Sequence, residues 1–127
     1  DGKTAERAYA LELLNLMKRP ETSAVVPVTW GLEVANAIGK AEMKGLISEA
    51  QSEAFLEMLD GIDIHEDVAT FSRTLSDTLQ IARRYRLSSY DASYLELAMR
   101  AGLPLATLDR DLRTAASKAG VPRFAAG

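Results

Sequence analysis

Residues 87–121 read LSSYDASYLELAMRAGLPLATLDRDLRTAASKAGV, and this stretch decides the fold. Apolar residues recur at helical spacing up to Gly102, run together in PLATL, and return to helical spacing before Gly120. The pattern predicts a helix over 88–101, a buried strand over 104–108 and a helix over 112–119. Two carboxylates stand where folding alone would not put them. Leu95, Ala98, Met99 and Gly102 define the inward face of the first helix, and Asp91 lies near its middle. Ser93, Glu96 and Arg100 are expected to point the other way. Asp109 ends the apolar strand. A buried carboxylate is costly unless it is hydrogen-bonded, paired or metal-bound. Each acid also has a plain structural role open to it. Ser88 and Asp91 are spaced as a capping box, and Asp109 suits the N-cap of the following helix.

Upstream, residues 68–85 read as a helical region with Val68, Phe71, Leu75, Leu79 and Ala82 along one side. Residues 62–65 (IDIH) alternate as a short strand. A helix is expected over 48–59, opened by a Ser48–Gln51 capping box, with Gly61 at its C-cap. Residues 29–44 form another helix, stopped by Gly45. Its buried face is Trp30, Val34, Ala37, Ile38 and Ala41, and Glu33, Asn36 and Lys40 make a polar row along its edge. Residues 22–28 (TSAVVPV) suit a buried strand of a parallel sheet, closed by Pro27. A first helix covers 4–18, capped by Thr4 and ended before Pro20. Residues 121–124 are a candidate edge strand. Helices alternating with short apolar strands predict one α/β domain over residues 1–127 with a parallel sheet. The chain opens on a helix, whereas parallel sheets usually begin with a strand. The expectation is that a first strand is missing.

The 127 residues, 47% hydrophobic and 26% charged, suffice for one domain with a proper core. Nothing approaches the ~20 apolar residues of a membrane helix, so no membrane association is expected and a cytoplasmic protein is the default. Cysteine is absent, which excludes disulfides and thiol catalysis. His65 is the single histidine and reads as a strand-end surface residue, so no zinc pattern exists. The net charge of −3 argues against a broadly basic nucleic-acid binder but leaves room for a local patch and a metal. Neither a Gly-rich phosphate loop nor a G-x-S-x-G elbow occurs.

Glu33, near the start of its helix, supplies a third acid. Each of the three lies at a helix N-terminus or a strand C-terminus, so one edge of the sheet is able to gather them. Carboxylates that converge without basic partners repel one another and favour a divalent cation, Mg²⁺ or Mn²⁺ for oxygen-only ligands. Such a centre activates water and steadies charge on a phosphodiester. Asp111 competes with Asp109 but reads as a first-turn surface acid. Asn36, one turn after Glu33, either orients it or has no such role. Lys40, Arg110 and Arg113 lie beside the acids. They are either a basic rim for a nucleic-acid backbone or ordinary surface charge.

Residues 26–41 (VPVTWGLEVANAIGKA), with YDASYLELA at 90–98 and PLATLD at 104–109, resemble PIN-domain ribonucleases, specifically VapC-type toxins of bacterial toxin–antitoxin pairs. The resemblance covers nearly the whole chain. It implies a three-layer α/β/α sandwich and a Mg²⁺- or Mn²⁺-dependent endoribonuclease. Glu33, Asp91 and Asp109 would be its acids, with Asn36 and Thr107 in support. Asp91 and Asp109 would hold the metal, directly or through water, and Glu33 would position the metal or the attacking water. RNA as substrate, a cognate antitoxin and a homodimer are implied too. The family opens on a central strand ending in LDAS, which carries a further acid. That segment is not in this chain, and Asp1 is no substitute. A gap in the sheet is therefore expected, compensated by a swapped element, a partner chain or an altered strand order. Weak metal binding and poor RNA cleavage are expected with it. The contrasting expectation is a catalytically incomplete interaction module that keeps the fold.

Overall fold

A computed structural model describes residues 2–125, without the side chains of residues 2, 3, 6 and 7. Asp1 lies outside the described residues. The order is α1 (Gly2–Met17), β1 (Ser23–Val26), α2 (Trp30–Met43), α3 (Glu49–Asp60), β2 (Asp63–Glu66), α4 (Thr70–Arg73), a π-helical turn (Thr74–Thr78), α5 (Leu79–Tyr85), α6 (Ser89–Ala101) and α7 (Arg110–Lys118). This mostly helical chain with parallel strand pairing is the expected α/β sandwich.

The core is the stretch 87–121 folded on itself. Leu95 and Ala98 of α6 pack with Leu105, with Leu112, Ala115 and Ala116 of α7, and with Val121. Burying a side chain such as Leu95 contributes about 2 kcal/mol. Gly102 ends α6 in the left-handed conformation at φ 67°, which glycine adopts without a Cβ clash. α6 is buried on more sides than its wheel predicts. Ser93 and Glu96 were expected to face outward, yet both are buried, because the π turn and α5 cover that flank. Met99, expected inside, is 45% exposed.

β1 pairs in parallel with β2, Ser23 opposite Asp63 and Val26 opposite Glu66. The pairing extends through the Asp67 N–H, which donates to the Val26 carbonyl at 2.7 Å. The strand expected over 104–108 shrinks to a single parallel bridge between Leu105 and Arg123. Among the described residues the two pairs do not join. A cavity of about 540 Å³ separates them, walled by β1, by Leu105 and Ala106, and by side chains of α1 and α6 such as Leu13 and Leu97. The expected gap is thus present. Without a neighbour on its inner edge among the described residues, residue 105 has no ladder to extend.

The helical region at 68–85 also departs from its pattern. Val68, Phe71 and Leu75 are 95%, 85% and 85% exposed, while Thr70, Thr78 and Ala82 are buried. The π turn inserts a residue into the helical register and rotates the following face by roughly 100°. Of the face of α2 expected to be buried, Trp30, Val34, Ile38 and Ala41 are half-buried and Ala37 is exposed, because little of the molecule packs over this helix.

Candidate active site

Asp91 sits in the first turn of α6 because Ser88 caps that helix, its Oγ accepting the Asp91 N–H at 3.1 Å. The reciprocal bond of a capping box, Asp91 carboxylate to Ser88 N–H, is not made among the described residues. The carboxylate is therefore not spent on the cap. Burial pushes it above the usual carboxylate range, and the charges of Asp109, Glu33 and Asp111 push it further. That shift is the electrostatic signature of acids from α2, α6 and α7 sharing one neighbourhood.

Asp109 performs its structural role. Its Oδ1 accepts the Leu112 N–H at 2.8 Å and caps α7. Thr107 supports it, its Oγ1 accepting the Asp109 N–H at 3.0 Å. Capping occupies one carboxylate oxygen and leaves the second without a hydrogen bond among the described residues.

Glu33 is held by a residue the sequence reading passed over. Tyr94 donates its hydroxyl to Glu33 Oε2 at 2.6 Å, joining α6 to α2 across 61 residues. Burial first, then this bond, pushes the Tyr94 phenol far above its usual range, so it stays a neutral donor. The signal was legible in principle, since Tyr94 follows Asp91 by three residues and shares its face. Asn36 is exposed and makes no side-chain hydrogen bond among the described residues. Asp111, read as a surface acid, contributes to the field at Asp91.

The basic residues divide. Lys40 and Arg110 are exposed. Arg113 turns inward: it donates to the Thr107 carbonyl at 3.2 Å and lies over the Tyr9 ring. It buttresses the loop before Asp109 rather than standing free at the rim. His65 pairs with Asp63 at 2.7 Å on the surface, as its strand-end position suggested.

A second acidic cluster shows what a neutralised arrangement looks like here. Arg100 bonds Asp67 through two nitrogens, at 2.6 and 3.2 Å, and Glu96 through two, at 2.7 and 2.9 Å. Thr70 adds its hydroxyl to Asp67 at 2.7 Å. The hydrogen bonds from Arg100 hold the Asp67 carboxyl down at about 2 despite burial. Glu33, Asp91 and Asp109 have no cation hydrogen-bonded to them among the described residues. Their oxygen-only donors and uncompensated charge fit a hard divalent cation. Among the described residues, however, no three such side chains are already gathered tightly enough to hold one.

A family model for the PIN domain matches residues 3–118. The chain is 35% identical over 80 residues to ribonuclease VapC3 of Pyrobaculum aerophilum, a match covering 63% of this chain. It spans 61% of that relative's length. The structure superimposes on the crystal structure of PAE2754 from Pyrobaculum aerophilum with a TM-score of 0.64 and 26% identity. That match covers 87% of this chain and 80% of the other.

Proposed function

The chain belongs to the PIN-domain family, and from that premise we propose that it is a metal-dependent endoribonuclease, the toxin component of a toxin–antitoxin pair. The observation that carries the reading is Asp91, held above the usual carboxylate range first by burial and then by the charges of Asp109, Glu33 and Asp111, with no basic side chain hydrogen-bonded to it among the described residues. Such a cluster is unfavourable by itself and becomes favourable around Mg²⁺ or Mn²⁺. Asp91 and Asp109 would hold the cation, and Glu33 would position the cation or the attacking water. When bound, the ion supplies water activation and charge neutralisation at the phosphodiester. Thr107 keeps Asp109 in place through its N–H. Lys40 and Arg110, both exposed, would meet an RNA backbone.

RNA is the proposed substrate, a cognate antitoxin the proposed partner, and the cytoplasm the proposed compartment. Among the described residues no helix is long and apolar enough to cross a membrane. The exposed apolar side chains of Val68, Phe71 and Leu75 support assembly as a homodimer or with another chain.

The test is cleavage of single-stranded RNA by the 127-residue chain with Mg²⁺ or Mn²⁺, beside Asp91→Asn. We expect slow cleavage that stops with chelator and falls about 10²-fold in the variant. Cleavage undiminished by chelation or by the substitution would overturn the reading. A second reading, a non-catalytic interaction module, is favoured by the absence of a tight metal-holding trio among the described residues. Complete inactivity with both ions would select it.

A further inference from the structure

The bond from Tyr94 to Glu33 has a role beyond packing. α2 has no fully buried residue, and its Leu32 and Met43 are exposed. Packing therefore fixes only loosely where this helix, and Glu33 with it, stands. Among the described residues the Tyr94 hydroxyl is the one side-chain hydrogen bond that reaches α2 from another element. Its 2.6 Å length is that of a charge-assisted O–H···O⁻ bond. Tyr94 itself is well anchored. It projects from α6, whose Ala92 and Leu95 are wholly buried, and its ring lines the cavity between the strand pairs. It also shares a helix face with Asp91, three residues earlier. A rigid element thus reaches out to a loosely packed one and fixes an acid beside the acid it already carries.

We propose that Tyr94 is the positioning residue of the acidic centre, its hydroxyl holding the Glu33 carboxylate beside Asp91 so that a divalent cation meets the two acids already oriented. One oxygen of Glu33 accepts from Tyr94, and the other stays available to the ion or to its water. The inference rests on the reading of these acids as a metal centre, and its test separates the two.

Mn²⁺ binding to the purified chain, read from the free-ion signal in electron paramagnetic resonance, is compared across wild type, Tyr94→Phe, Glu33→Gln, the double variant and Asp91→Asn. Phenylalanine keeps the ring in the cavity and removes only the donor, so Y94F is expected to melt close to wild type. Y94F should bind Mn²⁺ about tenfold more weakly, the effect of losing a hydrogen bond to a charged group. In the E33Q background the same substitution should change affinity little, because Tyr94 acts through Glu33. Wild-type affinity in Y94F would overturn the proposal. So would an equal loss in both backgrounds, which is what a merely structural role produces. Unchanged binding in D91N would instead overturn the metal reading itself, and this proposal with it.

Discussion

Asp67 and Asp91 are carboxylates moved in opposite directions from a common starting value. Asp67 is held at about 2, chiefly by hydrogen bonds from Arg100, with help from Thr70 and the Ala69 N–H against the cost of burial. Its folded value is depressed, so it contributes stability at pH above the ordinary value of 3.8. That contribution is lost as pH falls toward 2 and amounts to about 2 kcal/mol. Urea unfolding followed from pH 5 to 2 should show the loss, and Asp67→Asn should remove that limb of the curve; an identical limb in the variant would contradict the pairing. Asp91 is raised, so ionising it weakens the fold as pH rises. Asp91→Asn is expected to raise the melting temperature at pH 7 while lowering cleavage about 10²-fold, and a lower melting temperature would argue that Asp91 is structural. The sequence singled out Asp91 because it sits on an apolar helix face and Asp109 because it ends an apolar run, and Glu33 joined them only as an acid near a helix start. Tyr94, Glu96 and Arg100 were less legible. A wheel labels Glu96 as outward, and nothing local says that Asp67, 33 residues before Arg100, will meet it.

Capping chemistry was the most legible feature at the level of elements. The Ser48–Gln51 box forms with both bonds, at 2.9 and 3.1 Å. Ser88 and Asp109 also cap where their spacing suggested. Such signals are local, so a sequence carries them whole. The π turn at Thr74–Thr78 is not local in this sense. It satisfies α6 packing by shifting register, and it turns a regular apolar stripe toward solvent. Leu75→Lys should therefore change stability by less than about 0.5 kcal/mol, while Leu95→Ala in the core should cost about 3 kcal/mol. Comparable losses from both in urea unfolding would restore the simple stripe. Arg86 ends α5 in the left-handed region at φ 56°, where a side chain is strained. Arg86→Gly should gain roughly 0.5–1 kcal/mol, read as a higher urea midpoint. A loss would mean that the Arg86 side chain repays the strain.

Across the whole molecule, parallel pairing followed from alternating helices and β-branched runs, while the sandwich class was implied by the family resemblance. The division of the strands into two pairs around a cavity of about 540 Å³ is a property of the tertiary arrangement. The convergence of acids was the least legible property, because it depends on how α2, α6 and α7 are brought together. Glu33 and Asp109 lie 76 positions apart in sequence, yet the charges of both reach Asp91. The claim that these acids form one cation-seeking centre is tested most directly by titrating the Asp91 carboxyl with ¹³C NMR. The comparison is wild type, Asp109→Asn, and wild type with Mg²⁺ added. The account predicts a midpoint above the ordinary carboxylate value in wild type, a lower one in Asp109→Asn and a lower one again with Mg²⁺. A midpoint indifferent to both the substitution and the ion would contradict it.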